Sequence, residues 1–590
     1  MSPTKQSGYH QTKTKVQIVY AVVVAIFVLI FLRLFYLQVI RYDYYKKQAV
    51  SGQLKQYEIP AERGIIEAHD GDKVVPIVLN QSKFVIFADP KYIKDPSDTA
   101  SKVQPIIGGN KTEIEQALKS NSRYVVLAKK VDKNKSKAID DLNILGLGSR
   151  EERYRTYPQG SLAAQILGFV NDEGEGKYGV EQFLNLKLKG QAGELRAITD
   201  ARGVPLVANK DNIVKAPKQG ERTVLTIDVS MQKQLEDILQ AGLKKVNAAS
   251  GGAFIMDIHS GAIKAMANFP SYNPEEFFKT TDANDFNNAT VSSPLEPGSI
   301  MKPLTMAATL NVGAVKPDQT FYDPGQWVID GATVRNVQEV GGPGEHPISD
   351  ILKKSMNTGT TWLLMQMGGG EINEKARTTW NDYMTNHYLF GKKTGIEQGY
   401  EAEGDVPDPK QGYGLNIRYA NSTFGQGMTA TPLQMGAALA TVLNGGTYYR
   451  PHLVDYIMNE SGEKTIKQPE IVKKDVVSKE VGQTVQSFME AVVRENYRVY
   501  GMSEVKPGYT IGGKTGTAQI AKPGGGYYDD RFNGMFSGFI GGEKPEYVVI
   551  VRVNEPKVPG YAGSRGAGPI FAELSAMLLN NFNIMPKKTQ

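Results

Sequence analysis

The apolar positions of the chain begin with one almost unbroken run. It reads VQIVYAVVVAIFVLIFL from Val16 to Leu32, then Arg33, then LFYLQVI as far as Ile40. The first part alone makes a helix of about 26 Å, and continuation past Arg33 gives about 37 Å. Either length is close to or above the hydrocarbon core of a bilayer, about 30 Å. No small-residue cleavage site follows, so we predict an uncleaved membrane anchor over residues 16–40.

The charges beside this run bear on its orientation. The positive-inside rule hardly discriminates, because the basic residues balance: Lys5, Lys13 and Lys15 before the run, and Arg41, Lys46 and Lys47 after it. The short polar tail of residues 1–15 favours a cytoplasmic N-terminus and a body outside the membrane. Arg33 is expected either to snorkel to the membrane interface or to face a membrane partner.

Irregular patterning follows between residues 41 and 225. Asp70-Gly71 lies between two short apolar segments, which predicts a hairpin turn. The segment mixes helical and extended patterns and contains no constellation of catalytic residue types. We therefore predict an irregular, mixed α+β pedestal that acts as a scaffold or spacer.

The pattern becomes regular after the pedestal. Apolar residues at helical spacing follow Asp228, a good helix N-cap. GGAFIMDIHSGAIKAMANFP predicts two strands around residues 259–261, and YTIGGKTGTAQI, MFSGFIGG and YVVIVRV predict three more near the end. A last helix is expected over residues 569–580. Strands from both ends enclose a mostly helical middle. This predicts an α/β domain over residues 226–590, an α+β sandwich whose first and last segments share one sheet.

Composition narrows the function classes. Hydrophobic residues make up 41% and charged residues 22% of the 590 positions, as in ordinary globular proteins, and the length requires two or more domains. The net charge of +6 is small, and no arginine-rich arm or interleaved basic and aromatic patch indicates nucleic acid. Cysteine is absent, and the six histidines are scattered without a metal-binding spacing. We expect no metal, no cofactor and no nucleic-acid partner.

Catalytic chemistry is suggested by EPGSIMKPL, residues 296–304, where Ser299 and Lys302 share one helix face. The S-x-x-K pattern is weak alone, since it begins at five serines: Ser2, Ser230, Ser299, Ser461 and Ser503. At Ser299 a Pro-Gly turn precedes the pair, and a proline that is tolerated near a helix start follows it. Ser299 is therefore predicted at or beside a helix N-terminus, where a developing oxyanion is stabilised.

A serine nucleophile needs a base, and the chain contains no G-x-S-x-G elbow. Lys302 can act as this base only if burial or a second cation lowers its pKa. Further hydroxyls are then expected nearby. KKSMNTG supplies Ser355 and Asn357. GGKTGTAQ supplies a cation and two hydroxyls on a predicted strand: Lys514, Thr515, Gly516 and Thr517. A second K-T-G, at Lys393, has no strand pattern around it, so we assign Lys393 to a loop.

In this order the three elements resemble those of the penicillin-binding proteins and serine β-lactamases: Ser299-x-x-Lys302, Ser355-x-Asn357 and Lys514-Thr515-Gly516. The anchor, RGIIEAHDG, RTYPQGSLAAQILGFV with YGVEQFLNLKLKG, and STFGQGMTATPLQMGAALATVLNGG resemble the monofunctional, class B members. The resemblance covers nearly the whole chain. One departure is Ala68-His69-Asp70-Gly71, where the family usually has Asp-Arg-Asn-Gly. That departure lies outside the three catalytic elements.

The resemblance implies a peptidoglycan D,D-transpeptidase. Ser299 would attack the carbonyl between the two terminal D-alanines of a stem peptide, and Lys302 would take its proton. Ser355 and Asn357 would relay the proton toward the leaving D-alanine and position the substrate amide. Lys514 would add the positive potential that keeps Lys302 a usable base. The amine of a second stem peptide would then resolve the acyl-enzyme and form the cross-link.

Substrate binding is implied for the strand that carries the K-T-G motif. The donor would lie along Thr515, Gly516 and Thr517, and the two threonine hydroxyls would hold its terminal carboxylate. The backbone N–H groups of Ser299 and Thr517 would form the oxyanion hole. β-Lactams mimic the acyl donor and would therefore acylate Ser299.

The same resemblance implies an organisation and partners. A cytoplasmic tail (1–15), a single-pass anchor (16–40) in the cell membrane and a pedestal or dimerisation-like domain (41–225) would precede an extracytoplasmic transpeptidase domain (226–590). No sugar-polymerising domain is apparent, which implies a membrane-embedded glycosyltransferase partner and other wall-synthesis or divisome membrane proteins. EPGS and FGQGMTATPLQ resemble septum-building members more than elongation members.

Three alternatives remain open on the sequence. A β-lactamase or β-lactam sensor shares the three motifs, although a hydrolase needs a positioned water-activating base. A D,D-carboxypeptidase would pass the acyl group to water instead of an amine. A catalytically idle scaffold would only recruit a polymerase. The large anchored pedestal favours the transpeptidase over a free hydrolase.

Overall fold

The described chain forms two compact units. The computed structural model describes residues 7–198, 213–337, 342–522 and 524–587. One unit comprises Met1–Glu62 and Gly190–Gln219, and the other comprises Arg63–Lys189 and Gly220–Gln590.

The first unit contains the apolar N-terminal helix. Within the described residues, Lys15–Ile40 is the one helix long and apolar enough to cross a membrane, with a mean hydropathy of 2.9. It lies where the sequence predicted an anchor, as expected for a single-pass membrane protein. The elements of this unit are the helix Ser7–Phe35, the π-helical turn Tyr36–Ile40, the helix Tyr42–Gln53 and the antiparallel strands Leu54–Ile59, Gly193–Ile198 and Ile213–Lys215.

The second unit contains two large sheets, and the first of them joins distant parts of the chain. The strand Arg222–Asp228 pairs in parallel with Ile66–Asp70 and antiparallel with Val454–Met458. Asp70 pairs with Lys73, and Gly71 has a φ of 60°, so the predicted hairpin is confirmed. The domain boundary at residue 225 stays a prediction. In order, the sheet comprises Lys464–Ile466, Val454–Met458, Arg222–Asp228, Ile66–Asp70, Lys73–Ala88 and Val125–Val131, with Leu147–Thr156 also paired to Lys73–Ala88.

The second sheet is the centre of a sandwich. Its first two strands and its last three come from opposite ends of the predicted domain, which confirms that these segments share one sheet. Alternate residues of each strand point to opposite faces, so Ala253 and Ile255 join one core cluster while Phe254 and Met256 join the other. In order, the antiparallel strands are Ile263–Phe269, Ser250–Asp257, Pro545–Asn554, Tyr527–Gly541 and Thr510–Ala521.

Helices cover both faces of this sheet. Val229–Lys245 begins at Asp228, whose carboxylate accepts from the backbone N–H of Met231 at 2.8 Å, and it packs with Gly568–Asn581 on one face. The helical middle of the chain packs on the other face, where the entirely buried helix Pro432–Leu443 contacts the strand Pro545–Asn554. The α+β sandwich predicted from the sequence is confirmed.

Shorter elements complete the second unit. The remaining helices are Pro96–Ile107, Lys111–Leu118, Lys133–Asp140, Ala164–Leu167, Gly179–Phe183, Asn185–Lys189, Pro274–Lys279, Ala283–Phe286, Ala289–Ser292, Gly298–Met301, Lys302–Asn311, Ser349–Lys353, Asn357–Met367, Glu374–Asp382, Tyr383–His387, Leu415–Ser422, Lys479–Asn496 and Ala562–Ala567. The remaining strands pair two by two: Thr320–Asp323 with Gly344–Pro347, Gln326–Ile329 with Ala332–Arg335, Tyr448–Tyr449 with Ile471–Lys473, and Phe169–Val170 with Gly176–Lys177.

One buried carboxylate joins three of the phrases on which the family resemblance rests. The side chain of Glu181 is fully buried, and its two oxygens accept from Arg63 and from Arg155. Arg63 also donates to Asn185 Oδ1 at 2.9 Å, and Arg155 donates to Asn80 Oδ1 at 2.8 Å. RGIIEAHDG, RTYPQGSLAAQILGFV and YGVEQFLNLKLKG therefore meet because each supplies one charged side chain to a single buried network.

We expect Glu181→Ala to lower the free energy of unfolding by about 3–5 kcal/mol, because it leaves two buried guanidinium groups without a counter-charge. Urea unfolding of the full-length protein measures this change. Asp98→Ala is the matched control, since it breaks an exposed ion pair with Lys102 and should cost less than about 1 kcal/mol. Equal effects of the two substitutions would contradict a structural role for the network.

Candidate active site

Ser299 lies on a tight turn that runs into a helix. Gly298–Met301 forms a 3₁₀ turn, and Lys302–Asn311 continues it as an α-helix. Gly298 has a φ of 59°, in the left-handed region that favours glycine. Its N–H donates to the carbonyl of Gly425 at 3.0 Å. A Cβ on Gly425 would lie 2.3 Å from the Gly298 carbonyl oxygen, so the FGQG segment approaches the turn closely enough to require glycine.

The amine of Lys302 is buried one turn further along. Lys302 is 0% exposed. Its Nζ lies 2.5 Å from the Ser355 carbonyl oxygen, 2.7 Å from Asn357 Oδ1 and 3.2 Å from Ser355 Oγ. Burial, and secondarily the positive charge of Lys514, hold the pKa of Lys302 well below its ordinary value. The hypothesis that Lys302 is a base requires such a lowered pKa, and burial of the amine is its main cause.

Ser355 and Asn357 lie at the junction of two helices. Ser355 follows the helix Ser349–Lys353 with a φ of 53°, a conformation that non-glycine residues rarely adopt. Asn357 begins the next helix, and its Nδ2 donates to the Arg335 carbonyl at 3.0 Å. That bond fixes the amide so that its oxygen faces Lys302.

The K-T-G strand forms the opposite wall. Lys514 is 2% exposed, and burial lowers its pKa to about 7. A Cβ on Gly516 would lie 2.8 Å from the Pro297 carbonyl oxygen, so a glycine lets the strand contact the turn that carries Ser299. Thr517 Oγ1 accepts from the backbone N–H of Gly563 at 3.0 Å. This bond ties the strand to the segment that precedes the last helix.

Most of the predicted site residues share one cleft of about 690 Å³. Lys302 and Gly516 lie behind its surface, as buried supports of the residues that face it. The second K-T-G is elsewhere: Lys393 is exposed in a loop, as expected from the sequence. The predicted residues that line the cleft are Ser299, Ser355, Asn357, Lys514, Thr515 and Thr517.

Glu296 lies beside the site and was not predicted as a site residue. Its Oε1 accepts from the backbone N–H of Gly427 at 2.8 Å and from the hydroxyl of Tyr527 at 2.8 Å. Its Oε2 is buried with no hydrogen-bond partner among the described residues. Burial raises the pKa of Glu296, which favours the neutral acid. No local signal could reveal this, because the two partners lie 131 and 231 residues further along the chain.

Two family models match the chain. The model described as penicillin binding protein transpeptidase domain matches residues 251–576, and the model described as penicillin-binding protein dimerisation domain matches residues 58–225. Among solved structures, the fold is similar to a peptidoglycan synthetase from Bifidobacterium adolescentis, with a TM-score of 0.69 and 24% identity over 91% of this chain and 98% of that one. Penicillin binding protein 2X from Streptococcus thermophilus gives a TM-score of 0.70 and 21% identity, over 91% and 83%.

Curated relatives match along nearly the full length. Stage V sporulation protein D of Bacillus subtilis (strain 168) is 30% identical over 96% of this chain and 85% of its own. Penicillin-binding protein PbpB of Mycobacterium tuberculosis is 29% identical over 96% and 84%. Peptidoglycan D,D-transpeptidase FtsI of Escherichia coli K12 is 26% identical over 94% and 89%. The transpeptidase model covers more than half of the residues, and the chain belongs to the penicillin-binding protein transpeptidase family.

Proposed function

We propose that the protein is a peptidoglycan D,D-transpeptidase that cross-links stem peptides through an acyl-enzyme on Ser299. The observation that carries the proposal is the buried amine of Lys302. It has a lowered pKa, it contacts Ser355 and Asn357, and it belongs to the first residue of the helix that follows the 3₁₀ turn of Ser299. A surface Ser–Lys pair would have none of these features.

The hydrogen bonds of Lys302 suit a neutral base. A neutral amine has two N–H groups and one lone pair. The Ser355 carbonyl and Asn357 Oδ1 accept the two N–H groups, which leaves the lone pair to accept a proton. Ser299 Oγ attacks the donor carbonyl and its proton passes to Lys302 Nζ. The C–N bond to the terminal D-alanine then breaks, and Ser355 Oγ, 3.2 Å from Nζ, relays the proton to the leaving amine.

Resolution of the acyl-enzyme reverses the roles. The amine of a second stem peptide attacks the Ser299 ester and loses a proton to Lys302 Nζ. A new C–N bond forms, the ester C–O bond breaks, and the serine oxygen takes up the proton from Lys302. Backbone N–H groups of Ser299 and Thr517 stabilise the oxyanion in both steps, at about 3 kcal/mol for each donor. Asn357 positions the substrate amide.

The K-T-G strand holds the donor. Lys514 in its charged form, with the hydroxyls of Thr515 and Thr517, binds the terminal carboxylate, while Gly516 keeps that strand against the nucleophile turn. The strand is the last in its sheet, so its outer edge is open to an extended peptide. The carboxylate of a β-lactam takes the same place, and its ring carbonyl acylates Ser299.

The apolar helix supports a setting in the cell membrane. In this proposal the tail of residues 1–15 is cytoplasmic and the body lies outside the membrane. The partners are a membrane-embedded glycosyltransferase that supplies nascent strands and other wall-synthesis or divisome membrane proteins. We assign the chain to septum building rather than to elongation.

Transfer to an acceptor amine, measured against D-alanine release alone, distinguishes the transpeptidase from a D,D-carboxypeptidase. Rapid turnover of penicillin would instead indicate a β-lactamase.

Ser299→Ala is expected to abolish covalent labelling by a fluorescent penicillin, because it removes the nucleophilic oxygen and leaves the buried network intact. Gel fluorescence of the full-length protein measures the label. Ser503→Ala, at another S-x-x-K serine, is the control and should label like the wild type. Label that persists in Ser299→Ala would place the acylated residue elsewhere.

Acylation should depend on the charge of Lys514. With a pKa of about 7, the lysine is a cation below neutral pH and loses its attraction for the β-lactam carboxylate above it. The second-order acylation rate constant should fall roughly tenfold or more between pH 7 and pH 9, the value of one charge-assisted hydrogen bond. Lys514→Arg stays charged and should shift this decline to higher pH. A wild-type profile that is flat over this range would contradict the role.

Glu296 is expected to position the turn rather than to react. Glu296→Ala removes the acceptor for Gly427 and Tyr527, so the acylation rate constant should fall roughly tenfold, the equivalent of one or two hydrogen bonds of about 1 kcal/mol each. Glu296→Gln keeps a neutral acceptor and should recover most of the rate. Equal losses in the two variants would mean that the carboxyl acts as an anion.

A further inference from the structure

The segment that precedes the last helix brings an arginine to the cleft. Arg565 lies in the turn Ala562–Ala567 and lines the cleft together with Ser299 and Thr517. The turn is held against the K-T-G strand, because Gly563 donates to Thr517 Oγ1 and a Cβ on Gly563 would lie 2.4 Å from the Gly516 carbonyl oxygen. Arg565 is therefore two residues from a backbone group that is anchored on the proposed donor strand.

The charges that line the cleft are all positive among the residues the structure describes. They are Lys353, Lys354, Lys514 and Arg565. The first two already have acidic partners, since their amines lie 2.8 and 2.9 Å from the carboxylate oxygens of Asp350 and that of Lys353 also lies 3.6 Å from Glu495. Lys514 is buried and has the terminal carboxylate of the donor as its proposed partner.

Arg565 differs from these lysines because its guanidinium has no ion pair or hydrogen bond with any residue in the described parts of the chain. Nearby Arg531 shows the usual arrangement: it forms a two-pronged pair with Glu555 at 2.6 and 2.7 Å and stacks on the Tyr528 ring at 4.5 Å. Glu573 lines a neighbouring cavity with Arg565 and forms no ion pair with it. The exposed Arg565 thus keeps a permanent charge and a full set of donors for a ligand.

We propose that Arg565 is a specificity-determining residue that binds a second carboxylate of the acyl donor, in addition to the terminal one. The inference rests on the proposed function, since the donor is the stem peptide acylating Ser299. The guanidinium fork matches a carboxylate with two parallel hydrogen bonds. The preferred donor is a stem peptide that carries a free side-chain carboxylate, over one in which that carboxylate is amidated or absent.

Two penicillins that differ by one carboxylate test this subsite. Carbenicillin is benzylpenicillin with an added carboxylate on the acyl side chain. The measured quantity is the ratio of their second-order acylation rate constants on the full-length protein. Arg565→Gln should lower the carbenicillin-to-benzylpenicillin ratio roughly tenfold or more, the worth of a charge-assisted hydrogen bond. Arg565→Lys keeps the charge without the fork and should give an intermediate ratio.

Arg531→Gln is the matched control, because it removes a guanidinium that lies outside this cleft and is already paired with Glu555. Its ratio should equal that of the wild type. Stem-peptide donors with a free or an amidated side-chain carboxylate should reproduce the order in a transpeptidation assay.

The outcomes separate this inference from the function on which it rests. A wild-type ratio retained in both Arg565 variants overturns the subsite while acylation of Ser299 still stands. An equal fall in Arg531→Gln also overturns it, since the effect would then be one of general charge. Failure of the wild type to react with either penicillin would overturn the transpeptidase itself.

Discussion

The buried amine of Lys302 is the constraint on which the site depends. An ammonium group taken out of water loses its hydration, and a neighbouring cation penalises the charged form further. The fold imposes both conditions by placing Lys302 in the core behind Ser299 and Lys514 across the cleft. A surface lysine would be protonated at neutral pH and useless as a base. The rest of the domain is the scaffold that excludes water from this amine.

Close backbone approaches supply that scaffold. The turn Gly298–Met301, which carries Ser299, is held between the FGQG segment at Gly425 and the K-T-G strand at Gly516. Side chains larger than glycine at these two positions would collide with main-chain atoms. Contacts of this kind leave the turn little freedom to move, because main-chain atoms cannot rotate away as a flexible side chain can. The geometry of the cleft is therefore set by a sheet that has a large core on each face. Glu296 adds hydrogen bonds that connect the turn to two distant segments.

The features that could be predicted from the sequence are those that depend on residues close together in the chain. Ser299 and Lys302 are one helical turn apart, the hairpin at Asp70-Gly71 is a two-residue signal, and strand alternation shows two buried faces. Contacts such as the pairing of Arg222–Asp228 with Val454–Met458 could not be predicted, because no short-range pattern records which distant strand completes a sheet. The same holds for Glu181, whose partners come from separate phrases, and for Glu296, whose proline-rich neighbourhood indicates a turn but not the hydroxyl of Tyr527.

Ion pairing distinguishes several structural charged groups of the second unit from the groups around the cleft. Glu181 has two guanidinium partners, Asp350 has two ammonium partners, and Arg531 has Glu555. In each case the charged group has a partner of opposite charge within the protein, which is what stability alone requires. Three groups around the cleft have no charged partner among the described residues: the amine of Lys302, the amine of Lys514, whose acceptor is a carbonyl oxygen, and the guanidinium of Arg565. A charge left without a partner in a cleft costs stability, and a ligand that brings a carboxylate would offset that cost. The positive charge of the cleft would thus complement the carboxylates of the proposed donor.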